Sequence, residues 1–129
     1  MGYESKVTLA IEMGRSKDDA WNHVVASIDM GKMGYYPGWQ ELFTVPLVGD
    51  ICLNLYGDFY IDKESGQIDQ GYTEEDAYGE RPTQATVESV YKWCCEHRDP
   101  DNFELCVLTD ILARAMKSKM PLKVVHTGY

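Results

Sequence analysis

The chain has 129 residues, 44% of them hydrophobic and 26% charged, with 21 acids against 12 bases for a net charge of −9. That size and balance fit a single domain over residues 1–129 that closes its own core without a disulfide or metal staple. Direct nucleic-acid binding is excluded because no basic stripe offsets phosphate repulsion, and apolar runs such as Val45-Pro46-Leu47-Val48 are far too short to span a bilayer.

The N-terminus lacks the basic-then-apolar layout of a secretory signal, so a cytoplasmic location is expected. Val7, Leu9 and Ile11 alternate with Thr8, Ala10 and Glu12, the period-two mark of a half-buried strand. Gly14 ends it, and a polar loop follows. The next segment fits two templates. Ala20, Trp21, Val24, Val25 and Ile28 make a helical stripe with Ser16 as its cap, while Val24, Ala26, Ile28 and Met30 alternate with His23, Val25, Ser27 and Asp29. The β-branched content favours a strand, closed by Gly31 and Gly34.

Gly34-Tyr35-Tyr36-Pro37-Gly38-Trp39 is a turn-rich loop with three large aromatics, leading into one short helical turn over 40–43. Ile51, Leu53 and Leu55 alternate again. Gly57 interrupts as a bulge before Phe59 and Ile61 resume the pattern. Ser65-Gly66 is the tip of a tight hairpin with 67–72 as the return strand, and 72–82 is an acidic loop without apolar period.

Two helices follow. Thr83 or Thr86 caps the first, which places Val87, Val90, Tyr91 and Cys94 on one face. It stops at Asp99-Pro100, since the residue before proline is pushed out of helical geometry. Asp101-Asn102-Phe103-Glu104 offers a new cap, and Leu105, Leu108 and Leu112, flanked by Val107 and Ile111, give the second helix a broad apolar face. Arg114, Lys117 and Lys119 suit its C-terminal dipole, Pro121 ends it, and 122–126 is a last strand. The order predicts an α+β fold: a mainly antiparallel sheet of about five strands with two helices packed on one face.

Residues 50–80 hold nine acids against Lys63 alone, eight of the chain's nine net negative charges, while the remainder carries twelve acids and eleven bases. A field so one-sided bears on association and partner choice rather than on fold. Asp69, Tyr72, Glu74, Glu75, Asp76, Tyr78 and Glu80 are therefore candidate partner-binding residues, with carboxylates that compete for a basic surface and tyrosines that add contact area. The alternative for the same segment is a solvated face. Tyr35, Tyr36 and Trp39 join the candidates as aromatic anchors, with cover for an open sheet edge as their other role.

Four runs together resemble a family of small bacteriophage and prophage proteins. These are the opening Met1-Gly2-Tyr3-Glu4-Ser5-Lys6, the strand Val24-Val25-Ala26-Ser27-Ile28-Asp29-Met30, the run Glu75-Asp76-Ala77-Tyr78-Gly79-Glu80, and the close Val124-Val125-His126-Thr127-Gly128-Tyr129. The resemblance covers most of the chain except 31–50. It implies an accessory protein of phage origin, working in the host cytoplasm and of a class that inhibits host or defence proteins by binding (anti-CRISPR-like). It implies no activity or cofactor.

Catalytic signatures are wanting. Cys94 and His97 share a helix face but supply two metal ligands where zinc takes three or four. No serine sits in a Gly-x-Ser-x-Gly elbow, and no glycine-rich phosphate loop occurs. Residues 62–66 lack the ligand series of a calcium loop. Cys52, Cys94, Cys95 and Cys106 form no Cys-x-x-Cys pair and read as reduced thiols. The expectation is a non-enzymatic protein without cofactor or metal whose partner is a protein with a basic surface; its oligomeric state is left open. A small-ligand binder using the aromatics with Arg15, Lys17 or Lys32, for instance a nucleotide sponge, is the alternative. An enzyme would need His23, His97 or His126 beside a second polar group in one pocket.

Overall fold

A computed structural model of the protein describes residues 5–13, 21–48, 50–52, 60–61, 68–69, 72–73 and 82–128. The long strands β1 (Ser5–Met13) and β2 (Trp21–Gly31) pair antiparallel, as their alternation predicts. The last strand, β9 (Leu122–Gly128), lies against the other side of β1, and β8 (Thr83–Thr86) and β3 (Val45–Pro46) extend the sheet beyond it. These five strands, in the order β3-β8-β9-β1-β2, are antiparallel throughout. On the far side of β2, β4 (Asp50–Cys52) joins in parallel and β7 (Tyr72–Thr73) pairs antiparallel with β4. A separate two-stranded sheet pairs β5 (Tyr60–Ile61) with β6 (Ile68–Asp69).

Helices α1 (Val87–Glu96) and α2 (Phe103–Lys117) cover one face of the sheet. Thr86 caps α1 by accepting from Ser89 N at 3.2 Å, and Asn102 caps α2 by accepting from Leu105 N at 3.0 Å. Val87, Val90, Trp93 and Cys94 of α1 and Leu105, Leu108 and Leu112 of α2 are buried against Val7, Leu9 and Val124 of the sheet. The architecture is α+β, with a mainly antiparallel sheet and two helices on one face. Among the described residues no helix is long and apolar enough to cross a membrane.

Three features depart from the sequence reading. β8 occupies the residues from which Thr83 or Thr86 is expected to cap the first helix, because Thr-Gln-Ala-Thr carries only one apolar side chain and so no visible alternation. β3 is two residues long and gave no signal at all. Third, the register of β1 and β2 slips after Leu9: Leu9 faces Ala26, but Ala10 faces Val24. Val25 is the extra residue of this bulge and is 49% exposed. Ala26, Ile28 and Met30 therefore pack on the helix side, whereas Val24 crosses to join Ala10, Leu47 and Val125 on the opposite face.

That opposite face is built differently. Leu47 caps its small cluster, and hydrogen bonds clip the chain there: Leu47 N donates to Pro82 O at 2.9 Å, and Val48 N donates to Gln84 Oε1 at 3.0 Å. Val48 O accepts from Asn22 Nδ2 at 3.0 Å and from Lys123 Nζ at 3.1 Å. Thr8 and Ser27 exchange a hydroxyl hydrogen bond at 3.1 Å across the sheet.

Candidate interaction surface

The aromatic loop divides by role. Tyr35 is 86% exposed. Trp39 is fully buried, its indole N–H donating to Ser5 Oγ at 3.1 Å and its ring meeting Phe43 at 5.2 Å and Trp93 at 5.0 Å edge-on. Tyr36 packs edge-on against Trp93, and its hydroxyl donates to Asp99 Oδ2 at 2.7 Å while accepting from Asn102 Nδ2 at 3.2 Å. The Asn102 bond lowers the Tyr36 pKa, but the bond to Asp99, burial and the Asp99 charge together outweigh it and leave the phenol above its ordinary value. Gly38 makes this packing possible. It has φ +84°, and a side chain there would meet Trp93 Nε1 at 3.2 Å, the atom that donates to Pro37 O at 2.9 Å. Of the three aromatics, Trp39 and Tyr36 cover the core, and Tyr35 alone keeps most of its surface exposed.

Two short strands of the acidic segment, β4 and β7, extend the sheet edge. Ile51 faces Thr73 and Cys52 faces Tyr72, so the excursion between them is closed at its base, and it contains the hairpin in which Tyr60 faces Asp69 and Ile61 faces Ile68. Tyr72 and Asp69 thus sit in paired strands. Glu74, Glu75, Asp76, Tyr78 and Glu80, like the hairpin tip at Ser65-Gly66, lie outside the described residues.

The histidines have separate settings. His23 is exposed. His97 stacks on Trp93 with ring centres 4.3 Å apart. His126 is buried, stacked on Phe43 at 4.5 Å, and its Nε2 shares a hydrogen bond with Ser5 Oγ at 3.0 Å. The rings of His97, Trp93, Trp39, Phe43 and His126 form one continuous chain through the core.

The Ser5–His126 pair escaped the sequence reading, although both residues stand in the terminal runs quoted above, which lie side by side in β1 and β9 with Lys6 facing Thr127. A serine hydroxyl beside an imidazole is the start of a nucleophilic site. Here Ser5 is fully buried and already accepts from Trp39, so in this structure the pair is a core hydrogen bond.

Burial likewise governs Cys94. Its thiol is pushed up to about 11, against a weaker opposing hydrogen bond from Thr109. Cys106 is half-buried, with its Sγ donating to Asp99 O at 3.5 Å. Among the described residues, no three His, Cys, Asp or Glu side chains converge to hold a metal.

Among the described residues, two open grooves measure about 350 Å³ each. One, beside β3, includes Gln84 and Lys123. Lys123 Nζ uses its three N–H groups on Glu12 Oε1, Val48 O and Gln84 Oε1 at 3.2, 3.1 and 3.0 Å, which leaves no donor for a ligand. The other lies at the corner between α1 and α2. No family model, no curated protein and no solved structure matches this chain.

Proposed function

We propose that this is a non-enzymatic binding protein of phage type that inhibits a host or defence protein by presenting the carboxylates of residues 50–80 to a basic surface. One observation carries the reading: eight of nine net negative charges fall on a single segment. Asp50 in β4 and Asp69 in β6 stand on paired strands, and a carboxylate carried on an already ordered backbone loses less freedom on binding than one on a free chain. A basic groove that normally holds nucleic acid is the surface such a display fits, since nucleic acid presents its own closely spaced negative charge.

The test is capture of a partner from host lysate on the immobilised protein at low and at moderate salt. A stoichiometric basic partner that elutes as salt rises is the expected result. The triple variant Glu74→Lys, Glu75→Lys, Asp76→Lys loses that partner while its thermal midpoint stays within a few degrees of the parent. Undiminished capture by the variant rules the acidic segment out.

A further inference from the structure

The outer face of α2 has a pattern of its own. Leu105, Leu108 and Leu112 bury the inner face in the core. Opposite them, Phe103, Val107, Asp110, Arg114 and Lys117 follow one another at steps of four, three, four and three residues, the spacing of a seam along which one helix meets another. Val107 is half-buried and the other four are exposed. Phe103 is 74% exposed, and Met120, in the turn beyond the helix, is 51% exposed.

The charges on this stripe are self-complementary. Asp110 and Arg114 stand one turn apart, acid first, the arrangement that favours an ion pair within one helix. They do not form one: among the described residues the ion pair is that of Lys123 with Glu12. Both charges are therefore open to a partner.

Two copies of α2 laid side by side in the same direction would oppose Asp110 to Asp110 and Arg114 to Arg114. Run in opposite directions about a two-fold axis at the level of Leu112, each Asp110 meets Arg114 of the other copy, so the pair is made twice. The same axis sets Val107 over the aliphatic stem of Lys117 and Phe103 over the turn that carries Met120. One operation thus satisfies both the charges and the exposed apolar side chains.

We infer that the outer face of α2 is a dimer interface, with a second copy of this chain packed antiparallel across Asp110 and Arg114. Each copy carries a net charge of −9, so the two repel at long range. At roughly 0.15 M salt that repulsion is screened beyond about 8 Å, while charges in contact keep their attraction. Exposed pairs are individually weak, so the dimer is reversible and forms as concentration rises. The interface is separate from residues 50–80 and stands whether or not that segment binds.

Sedimentation of the full-length protein over a range of concentrations at that salt tests this, with Asp110→Arg, Arg114→Asp and their equimolar mixture. The parent is expected to dimerise reversibly. Each single reversal sets like charges opposite each other at two places and weakens the dimer on the order of tenfold. Mixing the two variants restores it, because one copy then brings arginine at both positions and the other brings aspartate. Phe103→Ala weakens the parent dimer as well. All three positions are exposed, and recovery on mixing shows that both charge variants are folded. A parent that stays monomeric at the highest concentration overturns the inference, even if the stripe captures a different protein. Single variants that dimerise like the parent, or a mixture that stays apart, overturn it too.

Discussion

The two faces of the central sheet are held by different forces. On the helix side, Val7, Leu9 and Val124 meet large apolar groups from two capped helices and from the aromatic loop, with Trp39, Trp93 and Phe43 edge to edge. On the other side a small cluster of Ala10, Leu47, Val125 and Val24 is supplemented by a polar clip in which Lys123, Gln84 and Asn22 hold the backbone at Val48. The first face draws its stability from area removed from water and close packing. The second draws its position from hydrogen bonds whose net worth is individually small. Damage to the first should threaten the fold, and damage to the second should loosen one segment.

Trp39→Ala is the strongest test of that contrast. It empties the centre of the aromatic chain and is expected to cost about 3–5 kcal/mol, read as a large drop in the midpoint of urea unfolding. A cost below about 1 kcal/mol would mean that the loop collapses into the space and that the helix-side packing is not what holds the fold.

The next effect is pH-dependent and lies on the same side. Burial raises the Cys94 thiol from 9.0 to about 11. Below pH 9 both folded and unfolded chains hold that proton, and the contribution is fully present. Between pH 9 and about 11 the unfolded chain releases it first, so stability falls as pH rises, by roughly 1.4 kcal/mol per unit. Unfolding followed through that window should show a steeper decline for the parent than for Cys94→Ala; parallel curves would remove the thiol from the account. The raised Tyr36 phenol acts in the same direction in both proteins and cancels in the comparison.

On the polar face, Lys123→Met keeps the aliphatic stem and removes the ammonium. Val48 O keeps Asn22 and Gln84 Oε1 keeps Val48 N, so the expected cost is about 1–2 kcal/mol, together with faster amide exchange at Leu47 and Val48. A loss as large as that of Trp39→Ala would make the clip as important as the core. The smallest effect belongs to Glu12→Gln. Its ion pair with Lys123 spans 3.2 Å with Glu12 48% exposed, and such pairs contribute about 0–1 kcal/mol. The variant should match the parent in high salt.

The helix-side face was largely legible in the sequence and the polar face was not. The stripe from Val87 to Cys94, the Leu105-Leu108-Leu112 face and the presence of caps at 83–86 and 101–104 depend on spacing within two turns, which a sequence displays directly, whereas the choice of Thr86 and Asn102 came with the structure. The clip at Val48 joins residues from four separate segments with no period among them. Val24 shows the same divide inside one strand: the alternation that groups it with Ala26, Ile28 and Met30 marked a strand, but a bulge against β1 moved it to the other face.

The candidate sites divide likewise. Tyr35 reached the surface and its neighbours Tyr36 and Trp39 turned inward, because Gly38 lets the loop fold onto Trp93. Phe103 was visible only as part of a cap. Its exposure depends on how the α1–α2 corner packs.

By itself the sequence determined the long strands β1, β2 and β9, the two helices and their apolar faces, the α+β class and the concentration of charge in residues 50–80, because each follows from local periodicity, capping chemistry or composition. Tertiary structure alone decided that β9 lies between β1 and β8, that Ser5 meets His126, that Trp39 is core and that a groove opens between residues 98–100 and α2. Those outcomes depend on contacts between residues far apart in the chain, where register, bulges and shape complementarity select among arrangements that the local pattern leaves equivalent.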